Sequence, residues 1–431
     1  MKSVFWFRRD LRLHDNHGLF KALKSSKEVV PVFIFDKNIL DKLKNKNDKR
    51  VDFIHRSLNS LQNQLTKNGS TLFVYYDTPL EAFKKIIQQH NPQCVFTNRD
   101  YESYATDRDV QIQNYLSDNK IDFKSFKDQC VFEKLEVTKQ DGKPYTVYTP
   151  YMRTWRKTLK PQDLKPYPSL DHLDHFTKSA PQKIPSLKDM GFASTDLTVP
   201  PTNWPLENLK DYDKNRNIPS LTWGTSHYGI HLRFGTLSIR ELMTLAKKWN
   251  DTWMNELIWR DFYMQILANF PHVEMGAFKK AYDNIQWSEN KSHFKAWCEG
   301  RTGFPIVDAG MRELNHTGYM HNRVRMITAS FLCKNLQINW MWGERYFAEK
   351  LLDYELASNN GNWQWAAGSG CDAAPYFRIF NPETQIKKFD PKYEYIKTWV
   401  PEFGTEHYPE PIIDYKQSRE DALNMYKAAL K

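Results

Sequence analysis

Four short apolar runs, with helix-patterned stretches between them, constrain the fold of this chain more than any other feature of its 431 residues. They lie at 4–7, 29–35, 71–76 and 94–96, each near strand length and rich in β-branched or aromatic residues. Between them, Phe53, Ile54, Leu58, Leu61 and Leu65 follow a helical period, with Gly69 placed to end the helix. Thr78-Pro79 supplies an N-cap and a first-turn proline for a helix through Ile87. Strand alternating with helix predicts an α/β domain, a mostly parallel sheet with helices on both faces, over 1–130.

Such sheets bind ligands at the carboxyl ends of their strands, but the sequence has neither G-x-G-x-x-G after a strand nor G-x-x-x-x-G-K-[ST] anywhere. A nucleotide phosphate held in those ways is therefore not expected in this domain. From about 131 to 200, Pro, Lys and Asp alternate with isolated aromatics, which reads as a connector over the surface. From 201 to 431 strand signals vanish. Helices are expected over 238–249, 253–270, 305–314, 322–336 and 345–351, making the second domain all-α.

A net charge of +10 favours polyanionic partners, though on its own it fits any basic protein. The 14 Trp sharpen the reading, because a basic, Trp-rich chain is suited to stack bases or a planar cofactor. No run of 18 apolar residues occurs and the N-terminus enters a strand at once, so a cytoplasmic protein without membrane spans is expected. Cys94, Cys130, Cys298, Cys333 and Cys371 show no metal spacing and read as reduced thiols; no metal is expected.

Three constellations stand out. Glu256, Trp259, Arg260 and Tyr263 share one helix face: an acid, a flat ring, a cation and a phenol. Spacing alone favours a salt-bridged, half-buried helix there; the functional reading is a pocket wall. Asn322, Arg325 and Met326 fall on one side of an otherwise apolar helix, where a cation needs a partner, and Asp353 is a candidate. Trp363 and Trp365, two apart on a helix, are expected to point in different directions.

With these blocks, the opening 5–16 (FWFRRDLRLHDN) and the segments 303–312 and 374–382, the chain resembles the photolyase/cryptochrome family, and within it the microbial class I photolyases for cyclobutane pyrimidine dimers. The resemblance implies FAD in the helical domain. It also implies UV-damaged DNA as partner, a dimer flipped from the duplex, and one electron passed from light-excited reduced flavin to split the cyclobutane ring. Residue by residue, Glu256 matches the carboxylate at the dimer's carbonyl edge, its pKa expected to rise in an apolar site. Trp259 and Trp365 match the rings that receive the bases, and Asn322 and Met326 the residues between flavin and dimer. Trp363, Trp340 and Trp287 correspond to an electron-carrying Trp chain. Cofactor contacts fall on Tyr212, Thr225, Ser226, Trp253, Arg260, Arg325, Asp353, Glu355 and Asn359, with Asn359 facing flavin N5. Arg323, Lys387 and Lys388 are candidates for DNA phosphates. Asn98 and Glu102 resemble positions that touch an antenna, with methenyltetrahydrofolate, a deazaflavin, a second flavin or none left open.

The chain departs from the family at Gly229, where a phosphate-binding serine is usual, and at Glu355, where Asp is usual. Two family rivals are a cryptochrome-type light sensor without repair and an enzyme for (6-4) products. The first often carries a long tail that is not expected after 408–411, and the second needs His residues not found at the matching positions. A non-enzymatic nucleic-acid binder would leave the Trp363, Trp340, Trp287 set unexplained. A monomeric light-driven lyase is the expectation.

Overall fold

A computed structural model describes residues 1–203 and 206–430. Contacts divide them into two compact units: 1–133 with 159–202 and 228–248, and 134–158 with 203–227 and 249–431.

The first unit is built on five parallel strands, β1 (Lys2–Phe7), β2 (Glu28–Asp36), β3 (Phe73–Asp77), β4 (Cys94–Asn98) and β5 (Asp122–Phe126), in the order β3-β2-β1-β4-β5. Helices α1 (His17–Ser25), α2 (Lys49–Lys67), α3 (Pro79–His90) and α4 (Ser103–Asp118) connect them. The alternation of the pleat sorts the strand side chains. Val4, Trp6, Val30, Val32, Ile34 and Val95 form one core with Phe83 and Ile86 of α3 and Ile112 and Leu116 of α4. On the other face α1 lies so close that a Cβ on Gly18 would meet the Phe5 ring at 3.1 Å. The expected α/β domain is thus present. Thr78 caps α3, with Pro79 in its first turn, and Gly69 follows α2 at φ +70°.

β5 was not expected. Its sequence, Asp-Phe-Lys-Ser-Phe, carries two apolar residues, as an edge strand with no second neighbour can. The stretch read as a connector also holds structure. Helix α5 (Tyr148–Thr158) runs through it and buries Tyr148, Tyr151 and Trp155 at helical spacing. Pro150 sits within its first turn, where no intrahelical N–H is needed, so this proline does not break the helix. Residues 134–158 pack with the second unit and 159–202 with the first.

The second unit is helical. Its elements include α6 (Asp251–Asn269), α7 (Pro305–Thr317), α8 (Asn322–Ser330), α9 (Trp340–Lys350), α10 (Leu356–Ala367), α11 (Pro382–Phe389) and α12 (Tyr415–Ala429). The expected helix over 322–336 is α8 followed by a π-helical turn, Phe331–Asn335. The helix expected from Arg345 begins earlier, because Asn339 caps it by accepting a bond from the Met341 N–H at 2.9 Å. Its core gathers Trp297, Trp340, Phe347 and Trp363 with the apolar faces of α7, α8 and the π turn. None of the five cysteines, all of them among the described residues, forms a disulfide. Among the described residues, no helix is long and apolar enough to cross a membrane, and no cluster of His, Cys, Asp and Glu is placed to hold a metal.

Candidate active site

The second unit contains a cavity of about 100 Å³, open to solvent, lined by α8, α9, α10 and the segment leading into α10. Asn322, Arg325 and Met326 border it from α8, and Asn359, Asn362, Trp363 and Trp365 from α10. Asp353 and Glu355 close one side. The polar stripe on an apolar helix thus does face a shared space. Trp363 and Trp365 both border it, although Trp363 is buried and Trp365 half-buried.

Several of the polar lining groups have defined partners. Arg325 Nη2 donates to Asp353 Oδ2 at 2.9 Å, Arg325 Nε donates to the Met320 carbonyl at 2.7 Å, and Tyr319 lies under the guanidinium. Burial opposes the charge on Arg325, but Asp353 outweighs it and holds the guanidinium protonated. Asn322 begins α8 but does not cap it: the His321 ring accepts the Arg323 N–H at 3.1 Å. Asn359 donates its amide to Glu344 Oε1 at 2.8 Å and to the Glu344 carbonyl at 3.1 Å, so its carboxamide oxygen is what it offers the cavity. Glu355, while bordering the cavity, pairs with Arg260 at 3.1 Å, and both are buried. The extra methylene at this position therefore serves an ion pair between α6 and the start of α10.

On α6, Glu256 pairs with Arg216. Burial pushes the Glu256 carboxyl up, the direction expected, and Arg216 opposes it. Trp259 lies flat against Tyr148 of α5. Arg216 also stands over Tyr212, tying that residue to the Glu256 side. Thr225 Oγ shares a 3.3 Å hydrogen bond with the Tyr319 hydroxyl and so reaches the Arg325 side. Tyr212, Thr225, Ser226, Trp253 and Arg260, expected as cofactor contacts, do not line the cavity itself.

Trp363 sits on Gly343, where a Cβ would lie 2.1 Å from the indole. Its ring contacts are with Phe347 at 5.0 Å and Trp297 at 6.1 Å. Trp340 lies in the same core, and half-buried Trp287 packs against it. Lys387 and Lys388 are exposed on the last turn of α11. Arg323 and Lys388 both stand over Phe389, at 4.4 and 5.3 Å, which joins them in one basic patch.

In the first unit, Asn98 donates to Asp10 and Asn16 and accepts the Gly18 N–H. Glu102 accepts from Arg9 and Arg233. Both would have to exchange these bonds to hold an antenna. The sequence reading missed Arg216, Tyr148, Glu344 and Tyr319. Arg216 lies 40 residues from its carboxylate, so no local spacing reveals the pair.

A flavin combines an apolar ring with a polar rim and is anionic when reduced. Met326, Ala329, Phe347 and Leu351 supply apolar wall, Arg325 a fixed cation, and Asn359 and Asp353 rim partners. The residues present fit that group.

The chain matches the family model described as DNA photolyase over residues 3–170, and that described as FAD binding domain of DNA photolyase over 253–405. It is 36% identical to the deoxyribodipyrimidine photo-lyase of Vibrio cholerae, with 99% of each chain covered. Among solved structures it is similar to a bacterial class III photolyase from Agrobacterium tumefaciens (TM-score 0.88, 31% identity, 99% and 97% covered). It is also similar to an archaeal photolyase from Sulfolobus tokodaii with two FAD molecules (TM-score 0.84, 34% identity, 99% and 100% covered).

Proposed function

This chain belongs to the photolyase/cryptochrome family, and from that premise we propose that it is a deoxyribodipyrimidine photo-lyase of the class I kind, repairing cyclobutane pyrimidine dimers in light. The observation that carries the proposal is the shared cavity of Asn322, Met326, Trp365 and Asn359 over the Arg325–Asp353 ion pair. FAD, when bound, supplies light absorption and the single electron that opening a cyclobutane ring requires. Arg325, Asp353, Glu355 and Asn359 are the residues to hold it, and Tyr212, Thr225, Ser226, Trp253 and Arg260, outside that cavity, are further candidates. Arg325 favours a negative charge in the cavity because Asp353 keeps it in place and protonated.

Trp259 and Trp365 offer flat apolar faces to the two bases of a flipped dimer, which excludes water from them. Glu256, its carboxyl biased toward the protonated form by burial, donates a hydrogen bond to a carbonyl that gains negative charge. Arg323, Lys387 and Lys388 meet DNA phosphates and position the duplex without reading its sequence. The likeness to the Vibrio cholerae enzyme and Met326 beside Asn322 support the dimer as substrate.

The test is anaerobic illumination of the reduced holoprotein with oligothymidylate carrying cyclobutane dimers. Dimer loss that depends on both light and protein is the expected result. Dimers left intact, or repair confined to (6-4) products, would overturn the proposal. Glu256→Ala is expected to slow repair by about tenfold or more, the worth of one hydrogen bond to a developing charge, while flavin absorption stays unchanged. Asn359→Asp puts a second carboxyl against Glu344, so the two must share a proton. The flavin redox state that accumulates in light is then expected to change, read by absorption; identical spectra would remove Asn359 from that role.

A further inference from the structure

Trp259 has a neighbour that the reaction as described does not use. Tyr148, the first residue of α5, lies parallel to the indole with ring centroids 3.5 Å apart and planes 6° apart. Aromatic pairs left to themselves prefer offset or edge-on geometry, so a near face-to-face pair is held by its surroundings. Those surroundings are explicit. The Tyr148 phenol donates to the Asn255 carbonyl at 3.0 Å, and its backbone N–H donates to Asp372 Oδ2 at 2.9 Å. Phe262 meets Tyr148 and Trp259 edge-on, at 5.8 and 5.6 Å, and closes the stack from the side.

The stack has a directional consequence. Tyr148 covers one face of the Trp259 indole, and Tyr263 packs on the ring at 5.5 Å and 28°, so an incoming ring has only the part of the half-buried indole that these neighbours leave exposed. Tyr148 itself is buried, whereas Trp259 is half-buried. We propose that Tyr148 is a positioning residue that fixes the plane of Trp259 and thereby sets recognition of the flipped dimer. This rests on the function proposed above. Without the second ring the indole gains rotational freedom, and the stack with a base forms at a greater entropic cost.

The experiment compares Tyr148→Phe, which keeps the ring, with Tyr148→Met and Tyr148→Leu, which keep apolar volume without it. Holoprotein affinity is measured for oligothymidylate with and without a cyclobutane dimer, alongside flavin absorption and turnover at saturating lesion. The non-aromatic variants are expected to bind the dimer about tenfold more weakly, as loss of a stacking partner implies. Affinity for undamaged strand, the flavin spectrum and saturated turnover stay near wild type. Tyr148→Phe keeps the ring, the Asp372 bond and the Phe262 contact and loses only the Asn255 bond, so its lesion affinity is expected to fall between wild type and the non-aromatic variants. Wild-type lesion affinity in a non-aromatic variant would overturn the inference, as would equal weakening toward both strands. Loss of flavin from both non-aromatic variants would also overturn it, because Tyr148 would then be merely structural. Wild-type protein that fails to prefer the dimer would instead defeat the function itself.

Discussion

Trp363→Phe is expected to leave the oxidised holoprotein unreduced under light and an added electron donor, while the same variant, reduced chemically beforehand, repairs dimers at the wild-type rate. Trp363 is buried, borders the cavity and is wedged against Gly343. A phenylalanine fits the same apolar surroundings, so the fold survives at a cost of about 1–3 kcal/mol. What is lost is the indole, an oxidisable ring that the benzene ring does not replace. Trp340 and Trp287, the proposed outer stations, should show the same split between photoreduction and repair. Trp297 makes a sharp control, since it too touches Trp363 but is fully buried and donates its indole N–H to the Thr328 carbonyl. Trp297→Phe is expected to retain photoreduction. Absorption of the flavin during anaerobic illumination decides the matter: undiminished reduction in Trp363→Phe would remove it from the relay, and loss in Trp297→Phe would place that ring on the path.

Much of this site was legible because burial makes demands that spacing reveals. Arg325 on an apolar helix face had to find an anion, and Asp353, 28 residues on, is that anion. Thr78-Pro79 and Gly69 are local punctuation and worked as such. Contacts made across long stretches of chain left no comparable mark. The stack of Tyr148 on Trp259 joins residues more than a hundred positions apart. Its helix was hidden by Pro150, which breaks a helix interior but not a first turn. β5 was hidden because an edge strand needs few apolar residues. Glu355 illustrates a third case. The departure from Asp was visible, but only the position of Arg260 shows what the longer side chain reaches.

Asp128→Ala is expected to lower the thermal midpoint of the first unit by about 10 °C. Asp128 accepts from Arg12 at 2.7 Å through Oδ2 and from Arg240 at 2.8 Å through Oδ1. Arg240 also pairs with Asp15 at 2.9 Å, and all four side chains are nearly inaccessible to water. Two cations and two anions balance. Removing one anion leaves a buried positive charge in excess, and breaking such a group costs about 3–5 kcal/mol. Asp128→Asn keeps an acceptor oxygen and should lose less. Burial alone would raise the Asp128 carboxyl, but Arg12 and Arg240 outweigh it and hold it at about 2. The folded value is therefore below the roughly 3.9 of an unfolded Asp, so its contribution is complete above that pH and disappears as the pH falls toward about 2. Unfolding followed across that interval should show a steeper loss in wild type than in Asp128→Ala. Parallel curves, or an unshifted midpoint in the alanine variant, would mean that the bonds from Arg12 to the Gly235 and Asp15 carbonyls and from Arg240 to the Asp15 carbonyl hold this unit together without the Asp128 charge.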